Sequence, residues 1–202
     1  MPKKVWLVWA LVFLFSFVLW FIGKEARPSD RCQQYVQTVR VNHFRYFGIS
    51  FPYHYGVGQL KQESSCRADI TSFDAGKGIA QFMPKTKKYC EQYIGEFNPM
   101  NPYQAIRAQA WYMSTIHKMN KCCGFWMTYM FYNSGQGTVL KEYKRAGYRE
   151  DWHLMKAVCS RGRVYLKSGQ VLDFCKVGYD YPIKVYRYGK EYQIVNDAQR
   201  YW

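Results

Sequence analysis

An apolar run near the amino terminus restricts what this chain can fold into. Residues 5–22 (VWLVWALVFLFSFVLWFI) are 18 residues without a charge, just enough for one helix across a hydrocarbon core of about 30 Å. No small-x-small cleavage site follows before Arg27, so we interpret the run as an uncleaved transmembrane anchor, with a removed secretory signal as the alternative. Basic residues on both sides compete under the positive-inside rule, and charge alone leaves the orientation open.

The anchor divides the chain into four parts. Residues 1–4 form a short amino terminus expected in the cytoplasm, residues 5–22 the anchor, residues 23–30 a polar tether, and residues 31–202 one folded domain. Hydrophobic residues make up 49% of the chain, which excludes a disordered polymer. The net charge is 29 − 14 = +15, spread without a long basic run. It indicates attraction to a polyanion such as nucleic acid, anionic lipid or a wall polymer, or only a solvated basic surface.

Helical signals dominate the predicted domain. Asn101-Pro102 is an N-cap followed by proline at the first helical position, and an apolar stripe of Ile106, Ala110, Met113 and Ile116 follows. This pattern predicts a helix that packs on the core and ends near residues 122–124. Further helices are predicted at 33–46, 55–62, 84–95, 125–132, 138–145, 151–159 and 181–188, and a hairpin at 163–174. The fold class is therefore mainly α, with little β structure.

Seven cysteines are present, and none forms a C-x-x-C pair of the kind found in zinc or redox sites. The four histidines include no H-E-x-x-H motif. We therefore predict neither a metal nor another cofactor. If the domain lies outside the cytoplasm, up to three disulfides and one remaining thiol are expected, with the pairing left open, and a reduced, buried set of thiols is the alternative.

Four short motifs follow one another between residues 63 and 135. Glu63-Ser64 comes first, Ser72 lies nine residues after Glu63, and Gln81, within GIAQFMP, lies eighteen residues after it. Residues 131–135 (FYNSG) complete the set. The set resembles the SLT type of lytic transglycosylase domain, whose pattern is E-S, a serine nine residues on, G-L-M-Q-x-M-P and A-Y-N-x-G. The resemblance covers roughly residues 50 to 190 and implies a lysozyme-like fold.

The resemblance implies a role for each matching position. Glu63 corresponds to the catalytic acid/base, and Ser72 to a hydroxyl that bonds either the catalytic carboxyl or the substrate's N-acetyl group. Gln81 corresponds to a substrate-binding amide, Tyr132 to the phenol that orients the glutamate, and Asn133 to part of the floor of the same site. These five residues, with Tyr181, are the candidate site.

Tyr181 begins the segment YPIKV, which is similar to the family's Y-V-x-K-V and would bring its phenol over the glutamate. The chain also departs from the family pattern. Val177-Gly178 replaces a Glu-Thr pair, Ala75-Gly76 replaces Gly-Ala, and Ile79-Ala80 replaces Leu-Met. We expect activity to survive these changes. A helix-surface role is the alternative for Tyr181.

The activity implied by the resemblance is cleavage of the MurNAc–GlcNAc β-1,4 bond of peptidoglycan, with closure of a 1,6-anhydro ring on N-acetylmuramic acid. One carboxyl suffices, because the substrate's N-acetyl oxygen can stabilise the charge at C1. A hydrolytic muramidase of the lysozyme or endolysin kind is the alternative, and usually needs a second carboxylate about 5–9.5 Å away. Asp69 and Asp74 are the nearby candidates, although a turn or capping role suits Asp74 better.

A binding module is the rival from another class. It would be either a lysozyme-like fold that binds glycan without cleaving it or a basic protein that binds nucleic acid. Against nucleic acid, the sequence has no helix-turn-helix, zinc-finger or RNA-recognition pattern. The expected partners are peptidoglycan strands and, through residues 5–22, the inner membrane, and no nucleic acid. We expect a single-pass membrane protein with its domain facing the periplasm or wall. The sequence leaves open whether it serves phage lysis, a secretion or conjugation machine, or wall turnover, although a small, single-domain, basic, anchored form suits the first two. The oligomeric state is also left open.

Overall fold

The computed structural model describes residues 30–120, 124–165 and 171–193. The predicted anchor, residues 5–22, and all but the last residue of the tether lie outside this part of the chain. In the three described ranges, no helix is both long and apolar enough to cross a bilayer. The boundaries of anchor, tether and domain therefore stay predictions.

Helices dominate the described residues, which confirms the predicted mainly α class. In chain order the elements are a 3-10 helix Gln33–Tyr35, α1 Val36–Phe47, α2 His54–Ser64, α3 Pro84–Ile94, α4 Pro102–Met119, α5 Phe125–Ser134, α6 Gln136–Arg145, α7 Trp152–Ala157, β1 Arg163–Tyr165, β2 Val171–Asp173 and α8 Phe174–Lys190. Every predicted helix overlaps one of these.

The central helix α4 begins as its sequence predicts. The Asn101 side chain accepts hydrogen bonds from the backbone N–H groups of Tyr103 (3.1 Å) and Gln104 (3.2 Å), and Pro102 occupies the first turn. Proline costs nothing there because the first-turn N–H groups have no partner within the helix. All four members of the predicted stripe are buried.

Two hydrophobic cores lie along α4. The first core packs Val57 and Leu60 of α2 against Ile106, near the start of α4. The second core packs Met113, farther along α4, against residues from α5 to α8, including Tyr181. The long helix thus joins one core that supports α2 to another that supports α8.

Helices α2 and α8 meet backbone to backbone. A Cβ atom on Gly58 would lie 2.3 Å from the carbonyl oxygen of Val185 and 2.5 Å from the amide nitrogen of Gly189. No side chain larger than a hydrogen fits at position 58 at this separation. The close contact fixes the position of α8 over the helix that carries Glu63.

The carboxyl-terminal part differs from its prediction in one respect. The predicted hairpin is confirmed: β1 and β2 pair antiparallel, with Arg163 opposite Asp173. However, the last helix begins at Phe174 rather than at Tyr181, and Pro182 lies inside it. Asp173 caps this earlier start by accepting from the Lys176 amide (3.0 Å), and burial of the helix in the second core offsets the backbone hydrogen bond that proline cannot donate.

Two disulfides connect the described cysteines. Cys32 pairs with Cys66, and Cys159 pairs with Cys175, whereas Cys90 is a buried free thiol. The alternative of a fully reduced set is therefore wrong for these four residues. Cys122 and Cys123 lie outside the described residues.

Candidate active site

Glu63 lies in the last turn of α2, where the chain turns sharply. Ser65 and Cys66 both adopt left-handed backbone conformations (φ 54° and 58°), and their amides bond back to carbonyls of α2. The Ser64 hydroxyl donates to the Ile79 carbonyl (2.8 Å). The Ser64 hydrogen bond thus holds the end of the helix against the following loop, and the Cys32–Cys66 disulfide links it to the segment before α1.

The loop of residues 71–82 folds back on itself beside Glu63. Gly78 has φ 72°, and a Cβ atom there would lie 1.8 Å from the Pro99 carbonyl, so the position requires glycine. Ser72 Oγ accepts from the Gly76 amide (2.9 Å) and donates to the Asp74 carboxylate. The Gln81 side chain donates to the Gly78 carbonyl (2.7 Å). The loop therefore brings Ser72 and Gln81 to the cleft, with Asp74 at its rim.

Two tyrosines approach Glu63 from the second core. The Tyr181 hydroxyl, on α8, donates to Glu63 Oε1 across a sequence separation of 118 residues. Tyr132, at the end of α5, donates instead to the Ala80 carbonyl (2.6 Å). The Tyr132 phenol was expected to orient the glutamate, but its hydroxyl donates to the Ala80 carbonyl. The hydrogen bond to Glu63 is made by Tyr181 instead.

Burial controls the protonation of Glu63. The pKa of this half-buried carboxyl is raised from its usual value of 4.5 to about 7. Desolvation is the largest cause, the Tyr181 hydrogen bond opposes it, and the nearby Asp74 charge adds to it. Burial and the Glu63 charge also raise the pKa of Tyr181 and that of Tyr132 well above 10. Glu63 can thus carry a proton near neutral pH, while both phenols remain hydrogen-bond donors.

All six predicted site residues line one cavity of about 290 Å³. Its lining consists of Gln62, Glu63, Ser72, Phe73, Asp74, Gly76, Gln81, Met83, Tyr132, Asn133 and Tyr181. Of the two carboxylates considered as a second acid, Asp74 lies at this cavity and Asp69 does not line it. The motif spacing predicted the constellation, although Ser72 bonds Asp74 and Gly76 rather than Glu63.

A second cavity, of about 630 Å³, adjoins the first and shares Phe73, Asp74 and Asn133 with it. Leu172 and Phe174 contribute apolar lining, and Phe73, which is 90% exposed, stands between the two cavities. Together the cavities form an open cleft, which suits a polymer better than a small enclosed ligand.

The wall of the second cavity rests on a buried ion pair. Arg161 donates through Nε and Nη2 to both carboxylate oxygens of Glu142, each at 2.7 Å, and through Nη1 to the Ser134 hydroxyl at 2.6 Å. The Tyr179 hydroxyl adds a donor to Glu142 (2.9 Å). No sequence motif pointed to these residues, because the pairing joins positions that are distant along the chain.

Gln59 and Gln109 were also missed from the sequence. Both side chains are fully buried beneath the cleft. The available signal was their position: Gln59 precedes Glu63 by one helical turn, and Gln109 lies within the apolar stripe of α4. A polar residue at a core position is uncommon unless it has a partner.

Among the described residues, no group of three or more His, Cys, Asp and Glu side chains could hold a metal ion. The groups of the site that can take part in chemistry include Glu63 and the polar side chains that line the same cavity. A neutral carboxyl in an open cleft can donate a proton, and the resulting carboxylate, held by a phenol, can take one back.

Comparisons with known proteins give a family match for part of the chain. A family model described as the transglycosylase SLT domain matches residues 58–155. Five of the six site residues fall within the match, and Tyr181 lies beyond its end. A search of curated proteins finds no match to the chain.

The fold is similar to a solved structure, that of the 70 kDa soluble lytic transglycosylase from Escherichia coli. The TM-score is 0.57 and the sequence identity 19%, and the alignment covers 75% of this chain and 23% of that one. This chain thus spans less than a quarter of that protein. The similarity confirms the predicted lysozyme-like, mainly helical fold.

Proposed function

We propose that this chain is a peptidoglycan lytic transglycosylase that cleaves the MurNAc–GlcNAc β-1,4 bond, with Glu63 as the single acid/base. The observation that carries the proposal is the Glu63 carboxyl, whose pKa is raised by burial to about 7 and which the Tyr181 phenol contacts in the cleft. A carboxyl of this kind is neutral often enough to act as a general acid near pH 7. The match of residues 58–155 to the transglycosylase SLT family supports the same activity.

The reaction needs one carboxyl and no water. The Glu63 carboxylic acid gives its proton to the glycosidic oxygen, and the C1–O bond breaks while the substrate's N-acetyl oxygen stabilises C1. The C6 hydroxyl then attacks C1 and gives its proton to the Glu63 carboxylate. This step closes the 1,6-anhydro ring and restores the acid.

The other cleft residues are proposed to bind the glycan. Ser72 and Gln81 present polar groups to the N-acetyl and hydroxyl groups, Asn133 shapes the floor, and Tyr132 supports the loop through Ala80. The second cavity continues the cleft along the strand. Attraction between the positive charge of the chain and an anionic wall would raise the local enzyme concentration, an effect that salt weakens.

The test is digestion of purified sacculi followed by mass spectrometry of the fragments. The parent protein should release muropeptides lighter by one water than reducing ones, and Glu63→Gln should lower the rate at least about 100-fold. Glu96→Gln, which changes an exposed glutamate outside the cleft, is the matched control and should retain full activity. If Glu63→Gln degrades sacculi at the parent rate, the chain is a binding module rather than an enzyme.

Hydrolysis is the second candidate because Asp74 lines the same cavity as Glu63. A hydrolase would use this carboxylate with a water molecule and release reducing ends. Under the transglycosylase proposal, Asp74→Asn leaves the anhydro product unchanged. Reducing ends from the parent protein, and their loss in Asp74→Asn, would favour the muramidase.

We further propose that residues 5–22 anchor the protein in the inner membrane, with the domain in the periplasm or against the wall. Two disulfides in the described domain suit a compartment outside the cytoplasm. The test is proteolysis of spheroplasts, in which external protease should digest the domain of the full chain. Protection of the domain until the membrane is broken would contradict this topology.

A further inference from the structure

Two buried glutamines lie directly beneath the candidate active site. Gln59 of α2 and Gln109 of α4 both have no exposed surface. Gln109 Nε2 donates to Gln59 Oε1 at 2.7 Å. The pair links the two helices at the level of the Glu63 turn.

The hydrogen bonds continue from the glutamines to the glutamate. A hydrogen bond from Gln59 opposes the rise in the Tyr181 pKa, which is the direction expected when the amide donates to the phenol oxygen. The Gln59 nitrogen also lies 3.6 Å from the Met113 sulfur. The Tyr181 hydroxyl in turn donates to Glu63 Oε1. Gln109, Gln59 and Tyr181 therefore each donate to the next group, and the series ends on the carboxyl of Glu63.

This arrangement is not the one that would best stabilise a core. The Oε1 atom of Gln109 is buried and has no hydrogen-bond partner among the described residues. An unsatisfied buried polar atom is destabilising, whereas two apolar side chains of the same shape would leave no such atom. The buried amides are thus better explained by what they hold than by their contribution to folding.

We infer that Gln59 and Gln109 are positioning residues, which hold the Tyr181 phenol in place against the Glu63 carboxyl through a continuous buried series of hydrogen bonds. The role given to them rests on the acid/base role proposed for Glu63. Neither amide lines the cavity, so both act through Tyr181 and not on the substrate.

The direction of the donors gives the series a chemical effect. Hydrogen bonds that point the same way polarise one another, so each amide strengthens the bond from Tyr181 to Glu63. That bond favours the charged carboxylate, the form that must take the proton from C6. Within the described part of the chain, the other titratable groups that act on Glu63 are Asp74 from the loop and Tyr132 from α5, and both remain when the glutamines are changed.

The experiment measures the Glu63 carboxyl pKa by NMR titration of carbon-13-labelled protein, assigned by comparison with Glu63→Gln. In Tyr181→Phe the pKa should rise by about one unit or more, because a hydrogen bond to a charged group is lost. In Gln59→Met it should rise by a few tenths of a unit, and in Gln109→Met by less, following the strengthening of roughly 10–30% per bond. Gln92→Met, at an exposed site on α3, is the matched control and should not move it.

A double-variant comparison separates positioning from general disturbance of the core. If Gln59 acts through Tyr181, then Gln59→Met should have no further effect on the Glu63 pKa in a Tyr181→Phe background. The variant Gln59→Met/Gln109→Met replaces both amides with apolar side chains of similar volume, so it should remain folded. It should still show the raised pKa of the Glu63 carboxyl. The alkaline limb of the kcat profile on sacculi should move in the same direction.

An unchanged Glu63 pKa in Gln59→Met would overturn the inference, as would an equal shift with and without Tyr181. Failure of the proposed function looks different. In that case the parent protein would not cleave sacculi, while the NMR titration would still report whether the glutamines act on Glu63.

Discussion

Two regions of the molecule supply the two ends of the hydrogen bond at the centre of the candidate site. Residues 54–82 contain Glu63 and form a helix and a loop that are adjacent along the chain. Residues 134–190 contain Tyr181 and comprise short helices, a hairpin and the last helix. The first region brings its site residues together by local sequence, whereas the second does so by contacts between distant positions.

The regions also differ in how they are held. In the first, Glu63 stands next to left-handed turn residues, and the required glycine at position 78 lies within the same loop. In the second, the Arg161–Glu142 pair joins the segment before the hairpin to α6, and the Cys159–Cys175 disulfide joins it to α8. The family match covers residues 58–82 of the first region and ends at residue 155, inside the second region but before the hairpin and Tyr181. We conclude that Glu63 is specified by a motif, whereas its contact with the Tyr181 phenol depends on packing.

The largest expected effect is a loss of stability when the buried ion pair of the second region is broken. Replacing Arg161 by Met leaves the Glu142 carboxylate buried without its cation, which should cost about 3–5 kcal/mol of unfolding free energy. Arg163→Met is the matched control: its ion pair with Asp173 leaves 65% of the arginine side chain exposed, against 8% for Arg161. That change should cost less than about 1 kcal/mol. Urea denaturation with the disulfides intact measures both values.

A double variant tests the reason for that loss. Arg161→Met combined with Glu142→Leu removes both charges, so it should recover part of the stability lost in the single variant. Equal losses in Arg161→Met and Arg163→Met would show that the buried pair does not hold the region. The comparison between the two regions would then lose its physical basis.

The second largest expected effect is a pH dependence of stability, which arises from Glu63 in the first region. The pKa of Glu63 is raised in the folded state, to about 7 from 4.5, so the folded protein binds a proton more tightly than the unfolded chain. The stabilisation from the proton bound to Glu63 is fully present below pH 4.5, and the free energy of unfolding falls as the pH rises through 7. A rise of the pKa from 4.5 to about 7 corresponds to about 3–4 kcal/mol at most, at about 1.36 kcal/mol per pKa unit.

Glu63→Gln should abolish this dependence. The variant and the parent should have similar stability near pH 5, and the variant should be more stable by up to about 3 kcal/mol at pH 8.5. Denaturation curves at the two pH values measure the difference, and effects of other titrating groups cancel between the two proteins. Glu96→Gln, at an exposed position, should follow the parent. A constant difference between Glu63→Gln and the parent across this range would contradict a buried, proton-binding carboxyl.

The sequence predicted the first region and α4 well because the constraints on both are local. Capping at Asn101, the apolar stripe of α4 and the spacing of Glu63, Ser72 and Gln81 are each set within a few helical turns. Tyr181 was predicted from a looser match, and its contact with Glu63 across 118 residues is present. The helix carrying it starts at Phe174 rather than at Tyr181, because tertiary burial outweighs the cost of Pro182 inside the helix.

Other features could not be predicted, because they depend on pairings between distant positions. The bonds from Tyr132 to Ala80, Arg161 to Glu142 and Gln109 to Gln59 each join residues at least 19 positions apart. Nothing local marks either partner. Cysteine pairing is of the same kind, since the sequence allows many connectivities and only the fold selects Cys32–Cys66 and Cys159–Cys175.

The smallest expected effect compares the disulfides of the two regions. Cys32–Cys66 closes a loop with a sequence separation of 34, and Cys159–Cys175 one of 16. If restriction of the unfolded chain dominates, replacing the first pair by serine should cost about 0.7 kcal/mol more than replacing the second, with each costing about 3–4 kcal/mol. Urea denaturation of the two double-serine variants measures the difference. A larger cost for the second pair would mean that this bond stabilises the folded region around Arg161 directly, and that packing in the second region depends on a covalent link as well as on the ion pair.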